Sequence, residues 1–374
     1  MHRIFAAPLV ILLFTLNAFS APDNKEQKRI ELLSKIEQLR QEKERIKSEE
    51  RDKVAKLDAQ GSKNRKESIL LFERLIGSTQ VGDPRRCDAF FQLGTLYYEE
   101  ERESYAAKQD VFKREFEVWE RRGSAGTPPL EPIPNYKKTV EVYNMMLAEC
   151  PTSGQRDVAL YKLGNIHTVS GDMAAAFESF NRLINEFPKS ENAPFANLRI
   201  GEYYYMMRDN QNALKHYEAV GMSSGADNYL LSLYRIASCY YNMSQFDKAI
   251  EKFFEYVEMA DSGKFKKADF RDEAVEFLAI SFSELPDGVD RAMKFFESKG
   301  GRPWGDFVLY TIGIKNRDHD NVEEAVKSLS TLLKHSPDFL EAPMALKALI
   351  DCHVLEKHYD KANELREQMI RDYG

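Results

Sequence analysis

Apolar and small residues recur along the chain at intervals that predict repeated helix pairs. A large apolar residue is followed by a small one at five anchors and by Ile350 at a sixth: Leu163-Gly164, Ile200-Gly201, Ile236-Ala237, Leu278-Ala279, Ile312-Gly313 and Leu349-Ile350. Successive anchors are 37, 36, 42, 34 and 37 residues apart. An alanine follows each anchor at nearly constant distance: Ala176, Ala213, Ala249, Ala292 (one position late), Ala325 and Ala362.

Four positions further on, most copies carry a larger residue: Phe180, Tyr217, Phe253, Phe296 and Leu329. This spacing predicts two helices in each copy, because a small residue lets two helices approach closely and a larger one fills the gap between neighbouring units. One unit cannot bury its apolar face alone, so the units must stack.

These repeats resemble the tetratricopeptide repeat family over most of residues 87–374, with a phase shared by seven copies. The resemblance implies an all-α fold, an α-solenoid in which antiparallel helix pairs form a right-handed superhelix. Leu93-Gly94 fits a first copy that ends near Pro151 and carries an insertion at 102–134. Pro286-Asp287-Gly288 shifts the register of the fifth copy.

The chain before the repeats divides into two predicted segments, a charged helix at 21–62 and a leading capping helix with its loop at 63–86. Leu32, Leu39 and Ile46 are seven residues apart, but many of the other seam positions are charged or polar. A stable coiled coil keeps both seam positions apolar. Two interpretations remain open: a solvated charged helix, or a weak homo-oligomer formed through residues 24–57.

The insertion in the first copy combines a long helical pattern with a proline-rich connector. The aromatic residues of one helix face are Tyr105, Phe112, Phe116 and Trp119. The helical pattern runs from 86 to 122, whereas the partner helix at 135–149 is much shorter. The connector at 123–134 is long enough to return along the overhang in an extended conformation. A helix break near Glu101 is the open alternative.

The first twenty residues predict a secretory signal peptide. A basic start is followed by an apolar stretch at 4–16, and small residues Ala18 and Ser20 precede Ala21. We expect cleavage after Ser20 and an exported protein, periplasmic or secreted. No apolar run reaches the length of a membrane span, so the mature chain is expected to have no transmembrane span.

Composition and motifs argue against several function classes. The chain of 374 residues is 43% apolar and 30% charged with a net charge of −7, which does not favour a nucleic-acid partner. No catalytic or phosphate-binding motif is found. Asp318-His319-Asp320 and His358 fall in predicted turns, and His167 and His353 occupy positions that hold tyrosine in other copies. We therefore expect no enzymatic activity, no cofactor and no metal site.

The four cysteines divide into two kinds. Cys239 and Cys352 occupy the same position three repeats apart, too far for a disulfide, and are expected in the core. Cys87 begins the first helix of the first copy and Cys150 ends the second helix. The two ends meet in an antiparallel pair, which predicts a Cys87–Cys150 disulfide. Two neighbouring free thiols remain the alternative.

In this family the first helix of each pair lines a concave face, and the resemblance therefore implies a peptide-binding groove. The residues at its binding offsets are Tyr161, Lys162, Asn165, Phe195, Leu198, Arg199, Glu202, Tyr205, Leu231, Tyr234, Arg235 and Tyr241. Lys162, Arg199 and Arg235 each precede an anchor and predict a basic line flanked by aromatic rings. In the alternative, the rings pack between helices and the cations balance Glu202 and other acids.

These features predict a periplasmic scaffold or adaptor that holds extended peptide segments of other envelope proteins in a cell-envelope complex. The order of signal, helical coil and repeats resembles the cell-division coordinator of the Tol–Pal system. Repeat proteins of outer-membrane assembly and motility machinery are also similar. A coiled-coil oligomeric coordinator is therefore the first alternative, and an enzyme with an unrecognised site is the second.

Overall fold

The computed structural model describes residues 24–265 and 268–373; the predicted signal peptide lies outside them. The described residues form helices and no β-strand. The α-helices are α1 (Asn24–Ser78), α2 (Pro84–Arg121), α3 (Lys137–Glu149), α4 (Arg156–Val169), α5 (Met173–Glu186), α6 (Ala193–Met206), α7 (Asn210–Glu218), α8 (Ala226–Asn242), α9 (Phe246–Asp261), α10 (Arg271–Ser283), α11 (Gly288–Ser298), α12 (Gly305–Asp318), α13 (Val322–His335), α14 (Ala342–Leu355) and α15 (Tyr359–Tyr373). A 3-10 helix at Met222–Ser224 precedes α8.

The chain divides into two compact units, the first ending at Leu71 and the second beginning at Phe72. The first unit contains most of α1, whose seam residues Leu32, Leu39 and Leu57 are exposed. The predicted boundary between a charged segment ending at 62 and a separate leading helix is wrong, because α1 is continuous from Asn24 to Ser78. The nearby Gly61 costs only about 1 kcal/mol of helix propensity, which is too little to end a long helix. Within the described residues, no helix combines the length and apolar content that a membrane crossing requires.

The second unit is an α-solenoid of seven helix pairs, from α2–α3 to α14–α15, as predicted. The two helices of a pair contact each other, and each pair also contacts the next. The repeated alanines lie at these contacts and are almost fully buried: Ala176, Ala213, Ala249, Ala292, Ala325 and Ala362. The regular spacing of these alanines therefore marks the points at which two helices approach most closely.

Glycine in the first helix of a pair allows a second close approach. A Cβ atom added to Gly164 would lie 2.4 Å from the Phe180 ring of the partner helix, and one added to Gly313 would lie 2.6 Å from Leu329. Both partners are buried. The apolar residue four positions after the repeated alanine thus packs directly against backbone.

The two helices of most pairs are joined by three-residue turns with a common backbone. The middle residue of the turn has a positive φ angle in five pairs: Gly171 (77°), Arg208 (58°), Ser244 (57°), Asp320 (59°) and Lys357 (62°). The third residue donates its backbone N–H to a carbonyl near the end of the first helix, as Asp172 does to His167 at 2.9 Å. The turns therefore bring the same two positions together in each unit.

The fifth pair departs from this turn, as its sequence predicted. Four residues separate α10 from α11, and Asp287 adopts a φ of 53°. A Cβ atom on Gly288 would lie 2.1 Å from the carbonyl oxygen of Phe282. The extra turn residue explains why Ala292 comes one position late.

The insertion in the first pair consists of one long, unbroken helix, α2, and the segment between α2 and α3, which returns along it and is called the strap. The 38 residues of α2 span about 57 Å, against about 20 Å for the 13 residues of α3. The strap is held at both ends. The backbone N–H of Asn135 donates to Glu101 at 2.8 Å, and Trp119 Nε1 donates to the Gly126 carbonyl at 3.4 Å.

A disulfide joins the two ends of the first pair. Cys87 and Cys150 have Cα atoms 5.8 Å apart and are bonded through their sulfur atoms. Cys239 and Cys352 are free and buried. The disulfide closes the base of the insertion.

Candidate binding surface

An ion pair connects the third and fourth helix pairs. Arg235 on α8 donates to Glu202 on α6 through Nε at 2.9 Å and Nη2 at 3.3 Å. Tyr217 on α7 also donates its hydroxyl to Glu202, at 2.9 Å. Burial, reinforced by this carboxylate, raises the pKa of Tyr217. Because less than a third of the Glu202 and Arg235 side chains is exposed, the pair is a structural link between units.

Tyr205 completes this arrangement. The Arg235 guanidinium lies 5.0 Å from the centre of the Tyr205 ring, a cation–π distance. Asn242 Nδ2 contacts the Tyr205 hydroxyl at 3.4 Å and Asn210 Oδ1 at 3.2 Å. Arg235 is therefore held between a carboxylate and an aromatic face.

An open pocket of about 640 Å³ lies at this junction. Its lining residues come from α6, the following turn, the start of α7, and α8: Glu202, Tyr205, Met206, Arg208, Asn210, Arg235 and Asn242. Arg208 at the turn is exposed and forms no ion pair with any residue that the structure describes. Met206 is 62% exposed. The pocket thus offers an unpaired cation beside an apolar thioether.

The residues that were predicted to line the groove in the second helix pair, α4–α5, are engaged in packing. Tyr161 lies between Phe180 and Phe195, with ring centres 6.1 and 6.0 Å away. Asn165 donates to the Tyr161 carbonyl at 3.0 Å. The Lys162 ammonium lies 5.6 Å from the Tyr98 ring centre, and burial lowers its pKa. Tyr161 and Lys162 therefore contact neighbouring pairs, whereas the Asn165 hydrogen bond lies within α4.

Two predicted groove residues lie in the core instead. Tyr234 is 3% exposed, donates to Glu273 at 2.6 Å and stacks on Phe270 with ring centres 4.6 Å apart. Leu198 is 6% exposed and packs in a cluster with Tyr217. Their assignment to a binding face was wrong, because these positions of the first helix face the next helix.

The remaining predicted residues are partly or fully exposed but do not line the pocket. Leu231 packs at the edge of the Leu198 cluster, and Tyr241 contacts Phe246 and Phe277. Arg199 is exposed and lies outside the pocket. The structure therefore gathers Glu202, Tyr205 and Arg235 in one site. Arg235 forms an ion pair with Glu202, as the packing alternative proposed.

Comparison with known families bears on the repeats directly. A model of the family described as "Tetratricopeptide repeat" matches residues 158–190 and 231–257. The chain contains tetratricopeptide repeats. The matched segments cover α4–α5 and much of α8–α9, and the intervening pair α6–α7 has the same turn and buried alanine. No curated protein matches the chain.

Solved tetratricopeptide repeat structures share low identity with this array. The C-terminal part of a repeat protein from Cytophaga hutchinsonii is 13% identical, covers 82% of this chain and 95% of its own, and gives a TM-score of 0.38. A repeat protein from Parabacteroides merdae is 15% identical, with 59% and 81% covered and a TM-score of 0.34. YrrB, a repeat protein with an unusual peptide-binding site, is 14% identical, with 56% and 99% covered and a TM-score of 0.33.

The tetratricopeptide array also places four residues in the pocket that the sequence analysis did not assign: Met206, Arg208, Asn210 and Asn242. They follow the anchors by six or more positions, beyond the offsets that were carried over. No sequence signal set Arg208 apart, because the equivalent turn position holds Ser244, Asp320 or Lys357 in other pairs and glycine only at Gly171.

Proposed function

We propose that this chain is a non-catalytic scaffold that binds extended segments of partner proteins at the pocket between α6 and α8. The tetratricopeptide repeats support a role in protein–protein interaction. The observation that carries the proposal is the pocket itself, where Glu202, Tyr205 and Arg235 from consecutive units meet an unpaired Arg208.

The chemistry of the pocket favours an acidic segment that also carries an aromatic residue. Arg208 is available for a carboxylate, and a charge-assisted hydrogen bond is about twice as strong as a neutral one. The exposed Met206 offers an adaptable apolar contact for a ring. Arg235 is held by Glu202, so its role is to position the Tyr205 ring at the pocket wall.

A peptide-display selection on the purified chain tests this proposal. We expect enriched sequences to combine Asp or Glu with a nearby aromatic residue. Arg208→Glu should weaken their binding by more than about tenfold, since a hydrogen bond to a charged group is worth about 1.5–3 kcal/mol. The matched control is Lys294→Glu on α11, an exposed residue outside the pocket. Equal affinity of Arg208→Glu and wild type for every selected peptide would show that this pocket is not the site.

For location, we propose an exported protein of the cell envelope, cleaved after Ser20. The support is the basic, apolar and small-residue pattern of the first twenty residues. N-terminal sequencing of protein from fractionated cells should give Ala21 in the envelope or periplasmic fraction. A chain that retains Met1 and stays in the cytoplasm would overturn the assignment.

An oligomeric coordinator is the second candidate, favoured by the exposed apolar residues of α1. Leu32, Leu39 and Leu57 are 61%, 63% and 72% exposed. Multi-angle light scattering should then give a mass above one chain, reduced to one chain by Leu39→Lys. The control is Asp52→Ala, which lies off this seam. A monomeric wild-type chain at high concentration would exclude this candidate.

A further inference from the structure

The last turn of the array brings three metal-ligating side chains together. One ligand atom from each of His353, Glu356 and His358 lies within 4.8 Å of the other two. His353 lies in the last turn of α14, and the other two residues belong to the turn before α15. The sequence analysis had assigned His353 to packing and His358 to a polar turn.

The preceding turn shows one way in which polar side chains at these positions can pair. Asn316 and Asn321 stand there in place of His353 and His358, and Asn321 Nδ2 donates to Asn316 Oδ1 at 2.8 Å. The backbone bond between the two positions is 2.8 Å in both turns, so their frames match. A direct side-chain bond thus closes the turn when both residues are asparagine.

The histidine pair lacks this closure. Nδ1 of His353 is buried and has no hydrogen-bond partner among the described residues. The two rings have centres 6.0 Å apart and are tilted by 47°, too far for a direct bond of the asparagine kind. A buried polar atom without a partner costs about 1–3 kcal/mol. In the last turn, the two imidazole rings are therefore not joined by a hydrogen bond, and the Glu356 carboxylate lies beside them.

We propose that His353, Glu356 and His358 form a zinc-binding site that closes the turn between α14 and α15. Imidazole nitrogen and carboxylate oxygen are preferred Zn²⁺ ligands, and two histidines with one glutamate leave a fourth position for water. Tetrahedral zinc places its ligand atoms about 3.3 Å apart. His358 Nδ1 and Glu356 Oε2 already lie at 3.2 Å.

The remaining adjustment is small. His358 and Glu356 have 62% and 34% of their side chains exposed, so both can rotate toward the buried Nδ1 atom of the half-buried His353 without disturbing the core. The site is independent of the pocket between α6 and α8.

Titration of the untagged, chelator-treated chain with ZnCl₂ by isothermal calorimetry tests the site. We expect one equivalent of zinc to bind and to raise the melting temperature. The variant His353→Asn/His358→Asn recreates the asparagine pair of the preceding turn and should fold normally. Outer-shell contacts alone change metal affinity by about 10- to 100-fold, so loss of two ligands should weaken binding by more than about 100-fold.

Two single variants keep the test decisive. His358→Asn changes only an exposed ligand and should weaken zinc binding while the circular dichroism spectrum stays unchanged. His319→Asn removes an exposed histidine from the preceding turn, outside the cluster, and should bind zinc as the wild type does. The proposal is overturned if the wild-type chain binds no zinc, or if the double variant or His358→Asn retains wild-type affinity.

Discussion

Removal of the Cys87–Cys150 disulfide should destabilise the first helix pair strongly. The bond joins residues 63 positions apart and therefore closes a loop of 64 residues. In the chain-entropy model, such a loop lowers the entropy of the unfolded state enough to stabilise the native state by about 4 kcal/mol at 25 °C. The variant Cys87→Ala/Cys150→Ala removes this bond and keeps the other two cysteines, which are free and buried.

Urea unfolding followed by circular dichroism measures the free energy of unfolding. Hydrogen exchange shows which helices lose protection. We expect the loss of protection to be concentrated in α2 and α3, because each unit of a solenoid contacts only its neighbours. A reducing agent should destabilise the wild type by a similar amount and leave the double variant unchanged. A loss below about 1 kcal/mol, or free thiols at both positions in non-reducing peptide maps, would refute the reasoning.

Three further outcomes can be checked on the same purified chain. Gly164→Ala should lower the free energy of unfolding by about 1–2 kcal/mol in urea despite the better helix propensity of alanine, because the new methyl group would collide with the Phe180 ring. Arg235→Ala should cost about 2 kcal/mol in the same assay, since it leaves the partly buried Glu202 without its bidentate partner; an unchanged midpoint would contradict this. Burial raises the pKa of Cys239 to about 12, so Ellman's reagent should find that thiol unreactive in native protein at pH 8 and reactive only in denaturant.

The array itself could be predicted from the sequence because its packing restricts residue size at fixed points. Ala176 and its counterparts are buried where helices cross, and their small side chains allow the close approach. The same logic located the disulfide, since antiparallel helices bring Cys87 and Cys150 to one end. Steric requirements that repeat in every helix pair produce a residue spacing that can be recognised in the sequence.

The residues that line the candidate pocket could be predicted only in part. Glu202 and Arg235 lie on the helices that the family resemblance indicated, but Arg208 and Met206 enter the pocket from the end of a helix and its turn. The face of a helix changes by about 100° with each residue, so the offset that suits Arg235 sends the adjacent Tyr234 into the core. No repeated constraint fixes such side chains, and each unit differs.

The turns within the pairs have a consequence for engineering and for natural variation. Arg208, Ser244, Asp320 and Lys357 hold a left-handed backbone that glycine, as at Gly171, adopts without strain. Replacing Ser244, Asp320 or Lys357 by glycine relieves strain of about 1–2 kcal/mol but adds freedom to the unfolded chain, for a net gain of up to about 1 kcal/mol. The array can therefore be made more thermostable at three separated turns outside the pocket, whereas the same change at Arg208 would remove the cation proposed for partner binding.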